Sequence, residues 1–387
     1  MPRSLGYAQT GNVLSRNLSV FLDLLRVAAA LLVLVGHMGA VYQLELPDIL
    51  AHSAKEGVAI FFMLSGFVIA FVTTCKEKDW RSFARARILR MGSVAPLAIV
   101  ALLLCHAAGS VANPALYDVS HAGDSTLGGA LVGVSPDWFS VLRYLTFTNE
   151  IWFDRAVIST GAPFWSLGFE AAYYVAFAIL VYMRGARRWI FATLWLMVCG
   201  PRIVVAFPLW LLGVAAWHLV QLRPRVRPLV GTATLAVLAL SALAWRRWAG
   251  VFAVPLFEWP GPAILTASMV YYLELGVLVA AMVVVFAACT PDHSIWPPRV
   301  ERTIRYCAGA SFTLYIAHLP VMVLLAATWP ASIGSLWRGL LAAGVSVAAT
   351  FMLAEAGERR KVAYARGVIF LSESLSPSKT KNIPAID

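Results

Sequence analysis

The sequence predicts an all-α polytopic membrane protein with about ten transmembrane helices around a polar cavity. Three observations carry that prediction. Of the 387 residues 60% are hydrophobic and only 13% charged, whereas soluble domains run near about 25% charged. Apolar runs of about 18 residues or more recur along the chain, long enough to cross hydrocarbon as helices and unlike the alternating strands of about ten residues in a barrel. A backbone in lipid must also close its own hydrogen bonds, and helices do so within one segment.

Ten apolar segments follow in order, at 19–41, 57–74, 92–109, 163–183, 189–204, 207–221, 228–244, 263–289, 308–328 and 334–356. Pro201 and Pro208 interrupt the fifth and sixth. The first is too long for the apolar core of a signal peptide and contains Asp23 and Arg26, so it reads as a retained helix. The organisation expected is a short cytoplasmic segment at 1–18, a membrane domain at 19–357 and a basic, disordered tail at 358–387, with no repeat and no second domain.

The formal charge of +11 reflects topology more than nucleic-acid binding. With ten spans and a cytoplasmic amino terminus, 23 of the 31 Lys and Arg residues fall inside and seven outside, counting Arg202 and Arg338 at the outer ends of their segments, with Arg26 inside the first span. That is the asymmetry of a cytoplasmic face, and an odd number of spans would destroy it. Both termini are therefore expected in the cytoplasm, with a bacterial inner membrane as the expected location. The long connection at 110–162 then lies outside and is expected to hold an interfacial helix at 136–153, using Trp138, Phe139, Tyr144 and Trp152. The five cysteines are scattered without CxxC spacing and read as packing residues.

Ionisable groups in a bilayer cost about 2.5–3.5 kcal/mol each on insertion scales and need a reason to be there. In FLDLLRVAAALLVLVGHMG, Arg26 and His37 are eleven residues apart. That is about 16 Å and close to three whole turns, so they share a face, which Asp23 joins three residues before Arg26. Glu170 lies about two turns into PFWSLGFEAAYY. In SFTLYIAHLPV, Ser311, Tyr315 and His318 recur on one face. Ordinary roles compete at each place: a snorkelling Arg26 paired with Asp23, a helix-to-helix partner for Glu170, a hydrogen-bonded helix contact for the third set. Glu274 and Glu355 stay ambiguous, and His52, His106, His121, His218 and His293 read as structural or solvated.

The segment KEKDWRSFARARILR sets Lys76, Lys78, Arg81, Arg85, Arg87 and Arg90 at the cytoplasmic face. Such clusters set topology or touch anionic lipid, and a polyphosphate ligand arriving from the cytosol would also meet them first. No P-loop, GxGxxG, GxSxG or HExxH motif is present, so nucleotide hydrolysis, metal chemistry and classical serine hydrolysis have little support, and no permanently bound cofactor is expected. A proton-coupled transporter using Asp23, Arg26, His37 and Glu170 as a relay remains open at this point.

Taken together, the motifs resemble those of the integral-membrane acyltransferase 3 family, over roughly 19–357. FLDLLRVAAALLVLVGH resembles its opening motif, with the same Arg-to-His spacing at Arg26 and His37. GVAIFFMLSGFVIAF resembles its second helix through Gly57, Phe61, Phe62, Ser65 and Gly66. FARARILR resembles its basic entry to the third helix through Phe83, Arg87 and Arg90. FWSLGFEAAYY resembles the WSLxxExxFY motif through Trp165, Ser166, Glu170 and Tyr174, and SFTLYIAHLP the SYxxYLxHxP motif through Ser311, Tyr315, His318 and Pro320. Departures are Ser93 in place of a usual Pro, Phe312 where Tyr is commoner, and Glu355-Ala-Gly357 where the family has ExP.

The resemblance implies transfer of an acyl group, acetyl above all, from cytosolic acyl-CoA as co-substrate to a hydroxyl of a sugar-containing acceptor such as a surface polysaccharide. It implies His37 as base, Arg26 as donor ligand or oxyanion partner, Arg81, Arg85, Arg87 and Arg90 as phosphate ligands, and Glu170 orienting His37 or touching the acceptor. Asp23, Ser65, Trp165, Ser166, Tyr174, Ser311, Tyr315 and His318 would support them, and the bilayer is the remaining partner. The charge asymmetry makes one prediction directly. A cysteine placed at Ser120 in a cysteine-free background should react with an impermeant thiol reagent in intact cells; labelling only after lysis would overturn the topology.

Overall fold

The computed structural model describes residues 14–47, 50, 53–117, 132–152, 156–222, 224–249 and 262–360. Side chains at 245–249 and 262–269 are not described, and most of the expected tail lies outside the described residues. The described chain is a helical bundle, with no β-strand among the described residues. Its helices are α1 (Arg16–Tyr42), α2 (Ser53–Cys75), α3 (Trp80–Gly92), α4 (Ala95–Ala112), α5 (Trp138–Thr146), α6 (Trp165–Tyr182), α7 (Arg187–Cys199), α8 (Pro201–Gln221), α9 (Pro228–Ala249), α10 (Pro262–Cys289), α11 (Pro298–Ala308), α12 (Ser311–Thr328) and α13 (Leu336–Ala356). Each of the ten apolar segments is helical. Among the described residues, eight stretches are long and apolar enough to cross a membrane, and the protein is an integral multi-pass membrane protein.

The fifth and sixth segments divide elsewhere than expected. The break falls at Gly200, whose φ of +92° suits glycine, and α8 then runs through Pro208 to Gln221. With 13 residues, α7 is about 20 Å long and shorter than the hydrocarbon core. The connection before α6 reaches in to meet its end: the Trp152 N–H donates to the Cys199 carbonyl, and Arg202 pairs with buried Glu150 at 2.8 Å. The interfacial helix is also shorter than 136–153. It starts on the Asp137 cap and stops at Thr146, because Phe147 turns left-handed and returns its N–H to the Arg143 and Tyr144 carbonyls.

α1, α2, α4, α8 and α12 form the centre. Contacts are densest between α2 and α8, between α1 and α2, and between α4 and α12. The α2–α8 approach depends on two glycines. A Cβ at Gly66 would lie 1.9 Å from the Trp210 carbonyl oxygen, and one at Gly213 would lie 1.9 Å from that of Met63. Small residues bring backbones together in lipid, where packing replaces the hydrophobic drive. Two apolar clusters result. The larger joins α2, α4, α6, α8 and α10; the smaller joins α1, α12 and α13 with Leu116, Tyr117, Val132 and Ala162 from the 113–164 connection; Phe61 packs against both.

We call the end of the bundle holding Arg16, α3 and α11 the basic end. At the opposite end, His106 of α4 bonds the Ser159 hydroxyl at 2.8 Å, and the Gly133 and Ser159 backbones pair, tying the connection down over the smaller cluster. Gly66→Ala or Gly213→Ala should cost about 1–3 kcal/mol through overpacking. Thermal melts monitored by size-exclusion chromatography should show both below wild type, and Gly344→Ala, which meets nothing within 4 Å, unchanged.

Candidate functional site

The start of α1 is fixed in place before its polar face is used. Ser15 caps the helix at the Leu18 N–H, Arg16 makes a bidentate bond to Glu301 of α11, and the Asn17 amide donates to the Pro291 and His293 carbonyls. About two turns further, Arg305 of α11 donates to Asp23 at 3.1 Å. Arg26 lies 3.8 Å from the same carboxylate. The nearest cation to Asp23 is therefore Arg305, a partner from a distant segment that the spacing along α1 does not reveal.

Around Arg26 the bundle gathers an ionic cluster. Arg26 is 3.9 Å from Glu358, and Arg90 of α3 is 3.8 Å from Glu170 of α6. Both separations exceed hydrogen-bond length, so both guanidiniums keep donors uncommitted to carboxylates among the described residues. The carboxylates are better satisfied. Glu170 accepts from Ser65 at 2.9 Å and from the Tyr174 hydroxyl, and Ser65 in turn accepts from the Trp210 indole. Glu358 accepts from the backbone N–H and hydroxyl of Thr313, capping the start of α12. Arg26 and Arg90 side chains stay 25% and 32% exposed. The carboxylates are anchored while the cations remain able to meet an anion.

The rest of the basic segment divides in two. Arg81 and Arg85 are exposed on α3. Arg87 is not: it is buried, bonds Glu77 at 2.5 Å and lies over the Phe83 and Tyr174 rings. Burial pushes the Glu77 carboxyl above its ordinary range even with Arg87 beside it. Arg87 thus clamps α3 to α6 and is withdrawn from the set expected to meet a polyphosphate.

Toward the opposite end of α1, His37 meets His318 of α12. Their Nδ1 and Nε2 atoms are 2.8 Å apart, and the rings stack with centroids at 5.0 Å. His318 is 1% exposed, whereas His37 is only partly buried. Between this pair and the ionic cluster stand Phe61 and Tyr315, with ring centroids 5.3 Å apart. The Tyr315 hydroxyl is held by the Pro163 carbonyl and the Ser166 hydroxyl, and Trp165 packs edge-on to Phe62 and Phe169. Ser311 instead bonds the Ala308 carbonyl at the start of α12. Glu170 belongs to the Arg90 cluster, so the side chain bonded to His37 is that of His318.

A family profile described as an acyltransferase domain matches residues 19–355. The chain belongs to the acyltransferase 3 family. Its membership makes the protein a membrane acyltransferase. No curated protein and no solved structure matches the chain. Within this acyltransferase the sequence motifs fall into two places about 16 Å apart along α1, an ionic cluster and a histidine pair.

Sequence reasoning missed Glu358, Thr313, Arg305 and Glu77. The sequence places Glu358 in the tail beyond 357, yet a further helical turn, Glu358–Arg360, carries it to Arg26. Glu355, aligned there with the family's ExP, lies at the surface beside Arg359 and Tyr306. A second glutamate one turn on was the available signal.

The anchor at the start of α1 responds to acid. Hydrogen bonds from Arg16 and Arg305 hold the Glu301 carboxyl below its ordinary range. A depressed carboxylate contributes stability that is complete above the ordinary value of about 4.3 and is lost as pH falls through the lowered one. Melts of wild type and Glu301→Gln should therefore differ most near neutral pH and converge below about pH 4.

Proposed function

We propose that this membrane acyltransferase moves an acyl group, acetyl in the simplest case, from cytosolic acyl-CoA to a hydroxyl of a sugar-containing acceptor such as a surface polysaccharide. The basic end faces the cytoplasm of a bacterial inner membrane in this reading, as the charge asymmetry requires. The observation that carries it is the pairing of two guanidiniums with uncommitted donors, Arg26 and Arg90, with a partly accessible imidazole on the same face of α1. A polyanionic donor and a proton acceptor are the two needs of acyl transfer from CoA to an alcohol.

In that reaction Arg81 and Arg85 attract the CoA phosphates, and Arg26 and Arg90 hold the donor at the mouth of the bundle. The thioester arm passes Phe61 and Tyr315 toward His37. His37 takes the proton of the acceptor hydroxyl as its oxygen attacks the thioester carbonyl. The tetrahedral oxyanion collapses, the carbon–sulfur bond breaks, and the CoA thiolate recovers the proton from the imidazolium. Glu170, fixed by Ser65 and Tyr174, holds Arg90 in position.

The direct test is protein purified into nanodiscs and incubated with labelled acyl-CoAs and cell-envelope fractions, with products read by mass spectrometry. An O-acylated glycan with release of CoA is expected; no acyl transfer from any acyl-CoA would overturn the reading. His37→Ala should lose about 100-fold or more of turnover while still binding acyl-CoA. Charge removal at Arg81 and Arg85 together should raise the KM for acyl-CoA, less so at high salt, and leave saturating turnover largely intact. Loss of acceptor affinity in that variant, with donor affinity unchanged, would put the donor on the wrong end of the bundle.

A further inference from the structure

His318 bears on the chemistry through the hydrogen atoms its neighbours allow. Its Nδ1 lies 2.8 Å from the Leu314 carbonyl oxygen. A carbonyl only accepts, so His318 Nδ1 carries a hydrogen. In a neutral ring the other nitrogen, Nε2, is then a bare acceptor. That nitrogen is 2.8 Å from His37 Nδ1, so the hydrogen between them belongs to His37. A neutral His37 with hydrogen on Nδ1 has its lone pair on Nε2.

We infer that His318 is a positioning residue that locks His37 in the Nδ1–H tautomer and so aims Nε2 as the base. This deepens the acyl-transfer reading and rests on it. A charged His318 would reverse the assignment, but a cation there would be buried without a counter-ion: no carboxylate pairs with either ring among the described residues. The difference in exposure points the same way. His318 is sealed, with its position set by Leu314 of its own helix, while His37 keeps open surface.

The arrangement repeats the logic of a base oriented by a hydrogen-bond acceptor, with a neutral imidazole in place of the usual carboxylate. When His37 takes the acceptor's proton on Nε2, its Nδ1–H bond to His318 strengthens and spreads the charge. Among the described residues no fixed anion holds the imidazolium, so the proton passes readily to the leaving thiolate. Side chains nearby do not compete for the His37 nitrogens: Tyr315 is committed to Pro163 and Ser166, and the Tyr42 hydroxyl donates to the Met322 carbonyl.

Two variants and one spectrum test this. In His318→Gln the amide oxygen can still accept from His37 Nδ1; in His318→Leu nothing can. The leucine variant should lose about 100-fold or more in kcat with the KM for acyl-CoA unchanged, and the glutamine variant should stay within about tenfold of wild type. Nitrogen-15 NMR of histidine-labelled protein in nanodiscs should show His37 protonated at Nδ1 and bare at Nε2, and a mixture of tautomers in His318→Leu. A wild-type spectrum with the hydrogen on Nε2, or equal kcat losses in two variants that both melt like wild type, would overturn the inference. The spectrum needs no turnover, so if no acyl-CoA is a donor the acyl-transfer reading fails while the tautomer is still decided.

Discussion

A guanidinium about 15 Å inside an apolar helix has to be met by the rest of the bundle, and the arrangement around Arg26 follows from that requirement. Asp23 lies on the same helix, Glu358 arrives on the turn after α13, and Arg90 with Glu170 completes a cluster drawn from α1, α3, α6 and the end of α13. Each carboxylate is in turn held from outside the pair: Ser65 and Tyr174 at Glu170, Thr313 at Glu358, and Arg305 at Asp23. Removing one carboxylate from such a set leaves a guanidinium in the bundle with less to balance it, which is costly in a low-dielectric surrounding. The cluster therefore fixes where α1, α2, α3, α6, α12 and the turn after α13 meet, as well as what they can bind.

Helix packing serves the same end. Gly66 and Gly213 let α2 and α8 approach to backbone contact, and this places Ser65, which accepts from the Trp210 indole, where its hydroxyl reaches Glu170. At the opposite end, Tyr144 bonds the Gly161 carbonyl and His106 bonds Ser159, so the connection between α4 and α6 is tied over the apolar cluster around the histidine pair. The short α7 leaves room for that connection to reach in and form the buried Glu150–Arg202 pair.

The helices and most of the site were legible because their signals are local. Apolar runs give spans, and the eleven-residue step from Arg26 to His37 gives a common face from helix geometry alone. What escaped depends on distant contacts. Arg87 has the same composition signal as Arg81, yet Glu77 and two aromatic rings withdraw it from solvent. Arg305 reads as a topology charge until α11 folds beside α1. Glu358 follows a glycine that suggests a helix end, and only the additional turn shows that it reaches inward. The α7–α8 division was misplaced because Pro201 and Pro208 look equivalent in sequence, whereas only the first follows a glycine at positive φ.

The separation of charge from proton transfer has a physical consequence. Had Glu170 sat against His37, its negative charge would have favoured a protonated imidazole and removed the base from use. Instead the carboxylates stay with the two arginines, Phe61 and Tyr315 stand between, and among the described residues the side chain bonded to the imidazole is another imidazole. A polyanionic donor can then be drawn to the basic end by fixed charge, while the reacting proton is handled where no fixed charge holds it. Both demands are met on one face of α1, because eleven residues of helix return to the same side at a distance that carries Arg26 and His37 into different electrostatic surroundings.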